Sequence, residues 1–180
     1  MRISVIALFL LVAVTGCNFS KSVNKDLMSG LLTKGDGISC KETYLTVNNE
    51  KINRNQFIYG ETFVVNFNGI EGFVKENESV FADMSLLVLT TAGDTMLFAD
   101  DLYSNYPDGI KLDPLLLTSA VTVAAPMKSG KEYILHVKIS DKKGKGVFSA
   151  ELEFNVMAND KIITESNGPD YDEIYIYSGD

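Results

Sequence analysis

The residues best suited to chemistry lie in an acidic stretch between positions 94 and 113. This stretch contains five aspartates against one base, Lys111. Ca²⁺ binds oxygen ligands, and carboxylates, the Asn105 amide and backbone carbonyls all occur close together here. The spacing departs from that of an EF-hand, because Ser104 and Tyr106 stand where carboxylates are needed. Two alternatives follow: a solvated acidic loop, which the charge pattern favours, and a weak calcium site with the ligands Asp100, Asp101, Asn105 and Asp108.

The residue inventory gives little support to nucleophilic or metal-assisted catalysis. The chain has one histidine, His136, and two cysteines, too few nitrogen and sulfur ligands for a zinc or iron–sulfur site. His136 lies out of phase with the apolar positions Leu135 and Val137, so we expect it on the surface. Neither a Gly-x-Ser-x-Gly turn nor a phosphate-binding glycine loop occurs. The sequence predicts a protein that is not an enzyme; a small hydrolase using paired carboxylates is the remaining catalytic alternative.

The first cysteine, Cys17, stands at the end of a targeting segment. An apolar run over residues 3–14 follows Arg2, and it is shorter than the roughly 20 residues that span a bilayer. The segment Val14-Thr15-Gly16-Cys17 resembles the lipobox of bacterial lipoproteins, in which signal peptidase II cuts before the cysteine. In that family the thiol carries a diacylglycerol, and the new amine is often acylated, for example with palmitate. The resemblance implies a cleaved signal peptide over residues 1–16.

The resemblance also implies attachment to a membrane of the bacterial cell envelope through Cys17. Position 18 is Asn rather than the Asp that retains enteric lipoproteins at the inner membrane, so the outer membrane is the expected location. The side of the membrane stays open. Residues 17–39 are rich in Ser, Lys, Gly and Asn, a composition typical of a tether. Cys40 then has no partner for an intramolecular disulfide, and we expect it to be a small, partly buried side chain.

Composition and charge narrow the possible partners. The chain has 180 residues, of which 46% are hydrophobic and 22% charged, as in a packed globular protein. Its formal charge of -8 argues against nucleic acid, because phosphate binding needs a basic surface. The remaining candidate partners are therefore a membrane, a protein and a glycan. We expect no cofactor.

Apolar residues alternate with polar ones along most of the mature chain, which indicates strands. Phe63, Val65 and Phe67 share one face, and the segment from Asp83 to Thr91 is apolar enough for a central strand. Ala92-Gly93-Asp94 predicts the turn of a hairpin. Short strands, frequent turn signals and no long helical period predict an all-β antiparallel sandwich of seven to nine strands over residues 40–160.

The clearest hairpin covers residues 130–157. Two rows of apolar side chains alternate with polar ones around a glycine-rich turn, so one face should be dry and the other wet: Tyr133, Leu135, Val137 and Ile139, then Ala150, Leu152, Phe154 and Val156. This hairpin resembles the last two strands of immunoglobulin-like and fibronectin-type-III-like domains. In those domains a tyrosine at the start of the penultimate strand bonds back to the backbone, and Tyr133 matches it by position.

The last twenty residues, 161–180, form an acidic tail. Within it Asp172–Ser178 is β-branched and aromatic, as strands are. We interpret this segment as a detachable edge strand that pairs with its own sandwich or with a partner's sheet, with Tyr175 and Tyr177 as candidate binding residues. Its carboxylates are expected to be drawn to the lysine-rich turn 142–145 or to a basic partner. An ordinary final strand or a frayed tail is the alternative.

These features together predict a lipid-anchored, non-catalytic β-sandwich that acts as a binding or assembly module of the envelope. The alternative is an accessory domain that binds a glycan or another envelope polymer through exposed tyrosines.

Overall fold

A computed structural model describes residues 21–159, 162–165 and 173–176. Fifteen strands occur in these residues. Their bounds are β1 (Lys21–Lys25), β2 (Leu32–Asp36), β3 (Ser39–Val47), β4 (Glu50–Ile52), β5 (Gln56–Ile58), β6 (Thr62–Glu71), β7 (Lys75–Glu76), β8 (Ser79–Val80), β9 (Ala82–Thr90), β10 (Thr95–Ala99), β11 (Leu116–Thr122), β12 (Glu132–Asp141), β13 (Val147–Met157), β14 (Ile162–Glu165) and β15 (Glu173–Ile176).

Two sheets form the sandwich. The larger has the order β1-β2-β13-β12-β9-β10, with β5 added in parallel to the end of β13. The smaller has the order β11-β6-β3-β4. Every other pair of neighbouring strands in these sheets is antiparallel. The predicted all-β, immunoglobulin-like sandwich is confirmed, and the short strands β1, β2, β4 and β5 extend it beyond the seven to nine strands expected.

The alternating side chains form the core between the sheets. Phe63, Val65 and Phe67 of β6 are fully buried. The inward rows of β12 and β13 face them, with the predicted register: Tyr133, Leu135, Val137, Ile139, Phe148, Ala150, Leu152, Phe154 and Val156 are all buried. Phe67 packs edge-on against Phe148 with ring centroids 6.0 Å apart. Each sheet therefore buries one face against the other, as a sandwich requires.

Tyr133 makes the backbone contact that its position predicted. The side chain is 3% exposed, and its hydroxyl accepts a hydrogen bond from the backbone N–H of Lys128 at 2.7 Å. The loop before β12 is thereby fastened to the start of that strand, as in the tyrosine corner of immunoglobulin-like sandwiches.

The prediction of a tether over residues 17–39 is wrong for residues 21–39. Strands β1 and β2 form a hairpin, and β2 pairs with β13 in the larger sheet. Leu31 and Ile38 are buried in the core at 3% and 1% exposure. The sandwich thus begins at residue 21 rather than 40, because a distant strand supplies backbone partners that the local composition does not reveal.

The acidic tail contributes a small sheet of its own. Glu173–Ile176 forms a strand, and its backbone pairs with Ile162–Glu165 in an antiparallel hairpin. The sequence predicted that this strand pairs with its own sandwich or with a partner's sheet. Among the described residues, it pairs with β14 instead.

Candidate binding surface

The loop between β10 and β11, residues 100–115, carries most of the acidic stretch and is built on Tyr103. The ring of Tyr103 packs against the core. Its hydroxyl accepts a hydrogen bond from the Thr118 N–H at 2.7 Å and donates one to the Thr118 carbonyl at 3.2 Å. Burial raises the pKa of Tyr103, and the bonds with Thr118 offset only part of that effect. The Tyr103 hydroxyl is therefore protonated, and its two hydrogen bonds with Thr118 hold the base of the loop in place.

Tyr106 packs beside Tyr103 and is exposed to solvent. The rings of Tyr103 and Tyr106 lie 5.7 Å apart at an angle of 41°, and Tyr106 is 55% exposed. The Tyr106 N–H donates to the Tyr103 carbonyl at 3.0 Å, and the Gly109 N–H donates to the Tyr106 carbonyl at 3.0 Å. Gly109 has a φ of +77°, and a Cβ there would lie 2.8 Å from the Val80 carbonyl oxygen, so only glycine fits.

Backbone hydrogen bonds hold both ends of the tyrosine turn, residues 102–110, in place. The Leu102 N–H donates to the Met84 carbonyl at 2.7 Å. Ile110 and Val80 exchange two hydrogen bonds of 2.8 and 3.0 Å, like residues of a short ladder. An exposed ring on a fastened loop loses little conformational entropy on binding, and this favours recognition.

The four candidate calcium ligands are not brought together as a site. Asp101 Oδ1 accepts a hydrogen bond from the Tyr103 N–H at 3.1 Å, and its Oδ2 lies 2.5 Å from Lys142 Nζ. Asp100, Asn105 and Asp108 are exposed on the loop. In the described part of the chain, no group of three or more His, Cys, Asp or Glu side chains could hold a metal. The ammonium of Lys142 takes the place beside Asp101 that a cation would need.

A groove of about 310 Å³ runs beside the end of the loop. Its lining combines apolar and charged side chains, among them Phe73, Leu112, Lys75, Glu78 and Asp113. The groove therefore presents both apolar surface and charged groups.

His136 lies on the outer face of the larger sheet, as its phase predicted. Leu135 and Val137 beside it are buried at 1% exposure each. The His136 side chain is 40% exposed, and its Nδ1 lies 3.4 Å from Glu151 Oε2 on the neighbouring strand.

The lysine-rich turn 142–145 is paired with carboxylates of the sandwich. Lys142 contacts Asp101, as described, and Lys143 Nζ lies 3.1 Å from Glu76 Oε2. These partners were not predicted, since 41 positions separate Lys142 from Asp101 and no local pattern joins them.

Cys40 is a half-buried thiol, as expected. Its single S–H has two acceptors within reach, the carbonyl oxygens of Glu42 at 3.2 Å and Asn68 at 3.4 Å from Sγ. Burial raises the pKa of Cys40, so the thiol stays protonated and weakly nucleophilic at neutral pH.

The remaining candidates lie near or beyond the ends of the described chain. Cys17 and Tyr177 fall outside the described residues. Tyr175 belongs to β15, at the register position opposite Ile163.

Comparison of the sequence with protein-family models and with curated proteins finds no match. Among solved structures, the chain is similar to the C-terminal domain of wzt, with 10% sequence identity and a TM-score of 0.49. That similarity covers 91% of this chain and 87% of the other. Similarity at this level assigns no function. Within the described stretches, no helix has the length and apolar character needed to cross a membrane.

Proposed function

We propose that this protein is a lipid-anchored, non-catalytic binding or assembly module of the bacterial cell envelope. The observation that carries the proposal is the lipobox-like segment Val14-Thr15-Gly16-Cys17 after a short apolar run. Two or three acyl chains on Cys17 would hold the protein firmly, whereas a single chain binds a membrane only marginally. The outer membrane is the proposed location.

The sandwich begins close to the proposed anchor. Only residues 18–20 separate Cys17 from the start of β1 at Lys21. A folded domain this close to the anchor stays beside the membrane and presents its far end to partners.

The anchor is tested by changing Cys17 to Ser. This change removes the thiol that would carry the diacylglycerol, so labelling by a fatty-acid probe should be lost and the protein should leave the membrane fraction. Cys40→Ser is the matched control and should keep its label, because Cys17 is unchanged and Cys40 is a half-buried thiol within the sandwich. Equal labelling of the Cys17→Ser variant and the unchanged protein would rule out the lipoprotein assignment.

A second candidate function is the binding of a glycan or another envelope polymer. The Tyr103–Tyr106 ring pair, with Tyr106 exposed next to the aspartates of the loop, favours it. An aromatic face accepts the CH groups of a sugar ring, and carboxylates accept hydrogen bonds from its hydroxyls.

This candidate is tested with isolated envelope polysaccharide and peptidoglycan. Tyr106→Ala should weaken binding about tenfold, which corresponds to ~1.4 kcal/mol for loss of one aromatic contact. Tyr44→Ala is the control, since Tyr44 is a partly exposed tyrosine on β3, in the other sheet. Equal weakening by both substitutions, or by neither, would exclude the loop as the binding surface.

A further inference from the structure

The β1–β2 hairpin displays apolar side chains that the sandwich does not cover. Val23, Leu27 and Met28 are 70%, 89% and 71% exposed, and they lie within six consecutive positions at the edge of the larger sheet. Large apolar side chains grouped in this way on a surface mark a site of contact with another surface.

The turn that carries Leu27 and Met28 is well ordered by its own hydrogen bonds. The Asp26 carboxylate accepts bonds from the Ser29 hydroxyl at 2.6 Å and from the Met28 N–H at 3.0 Å. The Gly30 N–H donates to the Asp26 carbonyl at 2.8 Å, and the Asp26 N–H donates to the Leu31 carbonyl at 2.9 Å. Ser29 is buried, so the turn is fixed from within and holds Leu27 and Met28 outward.

The charge of the hairpin is opposite to that of the whole chain. Three lysines stand against two aspartates between residues 21 and 36, in a protein with a net charge of -8. The hydrogen bonds from Ser29 and from the Met28 N–H lower the pKa of Asp26, which therefore stays ionised. The three lysines exceed the two aspartates by one, and Lys25 and Lys34 are exposed, so the hairpin keeps a small net positive charge. Lysines beside apolar side chains match an anionic lipid surface, where headgroup phosphates lie above the acyl chains.

The chain length keeps the hairpin beside the anchor. Four residue steps lead from Cys17 to Lys21, which is at most about 15 Å at 3.8 Å per step. Leu27 lies six residues further along, about 20 Å at the rise of a strand. With a lipid on Cys17, these lengths allow β1 and its turn to lie on the bilayer surface.

We propose that the β1–β2 hairpin is a second membrane contact, which places Val23, Leu27 and Met28 at the boundary between headgroups and acyl chains and Lys25 and Lys34 among the phosphates. This inference rests on the proposed lipidation of Cys17. The hairpin then fixes the orientation of the domain, with β1 at the membrane and β10 at the opposite edge, five strand spacings or about 24 Å away.

The test uses the absence of tryptophan from the sequence, which makes any introduced tryptophan a unique reporter. Leu27→Trp is prepared in the full, lipidated protein and placed in vesicles of phosphatidylcholine and phosphatidylglycerol, with and without bromine on the acyl chains. Its emission should shift to the blue and be quenched by the brominated lipid. Phe98→Trp is the matched control, because Phe98 of β10 is 61% exposed at the opposite edge, and its emission should be unchanged.

A further variant tests whether the apolar side chains of the hairpin, and not the introduced tryptophan alone, cause the membrane contact. Adding Val23→Ser and Met28→Ser to Leu27→Trp should reduce the quenching, since the three side chains act together. All these positions are largely exposed, so thermal melting should confirm that each variant folds.

The outcomes distinguish this inference from the proposed function. A protein that fails to float with the vesicles and takes no fatty-acid label contradicts the lipid anchor itself. A labelled, floating protein whose Leu27→Trp emission is not quenched keeps its anchor and overturns the membrane contact. A blue shift without quenching by the lipid also overturns it, because the turn is then covered by protein. Quenching that persists in the triple variant removes the role of the apolar cluster.

Discussion

Phe154 lies where aromatic rings from four strands meet. Its ring centroid is 5.8 Å from Phe57, 5.4 Å from Phe63 and 5.8 Å from Tyr133. Phe57 and Phe63 are themselves stacked at 3.9 Å. The side chain is 1% exposed, so its removal leaves a cavity that these rings can fill only in part.

Phe154→Ala should lower the free energy of unfolding by ~3–5 kcal/mol, the usual cost of removing a buried phenylalanine ring. Glu153→Ala at the adjacent, exposed position is the matched control and should be nearly neutral. Urea unfolding followed by circular dichroism measures both. Similar midpoints for the two variants would contradict the register of β13.

At the candidate site, the sequence could indicate residue types but not their partners. The aspartates of the loop and Tyr106 are visible in the sequence as an acidic, aromatic stretch. The contacts that determine their roles involve residues that are distant in the sequence. Lys142 forms an ion pair with Asp101, and the backbone of Thr118 holds the Tyr103 hydroxyl. For this reason the sequence could favour a solvated acidic loop over a weak calcium site, but it could not predict the hydrogen bonds that fix the loop at Tyr103.

The strands with a strict alternation were predictable because each buries one face. Phe63, Val65 and Phe67 repeat every second residue, and so do the inward rows of β12 and β13. The hairpin turn at Gly93 was also predictable, because glycine adopts its φ of +95° without strain.

The β1–β2 hairpin was not predictable, for a physical reason. All five residues of β1 are exposed, so the strand carries no alternation between buried and exposed positions. The partner that orders β2 is β13, more than 110 positions later. A segment stabilised by such distant backbone pairing resembles a polar linker when only its own composition is read.

Ile38→Ala should destabilise the protein by ~2–5 kcal/mol if this first segment is part of the core. Val23→Ala on β1 is the control and should have little effect on stability, since Val23 is 70% exposed. Differential scanning calorimetry of the two variants provides the measurement. An unchanged melting temperature for Ile38→Ala would restore the interpretation of residues 21–39 as a tether.

At the scale of the whole molecule, the sandwich and the acidic tail are separate units of backbone pairing. β15 pairs with β14, while the larger sheet ends at β1 on one side and β10 on the other. If β1 faces the membrane as proposed, β10 and the tyrosine loop that follows it face away, towards partners.

Deleting residues 162–180 should change the stability of the sandwich by less than ~1 kcal/mol, because neither described strand of this segment, β14 or β15, pairs with a sheet of the sandwich. Crosslinking from intact envelopes, with and without this deletion, then reports whether the tail binds a partner. A large drop in the melting temperature would instead show that the tail is integral to the fold. Unchanged stability and unchanged crosslinks would leave the tail without the docking role.

If the chain is secreted as proposed, the pairing of β2 with β13 determines when its larger sheet can form. Ser149 lies opposite Lys34, 115 positions earlier, so β2 can pair with β13 only when most of the chain is available. Such non-local pairing makes folding slow, since a large loop must close before the contact forms. A chain threaded from its amino terminus through a translocation channel cannot complete the larger sheet until almost all of it has emerged. For a secreted chain, this topology would delay the closure of the larger sheet until translocation is nearly complete.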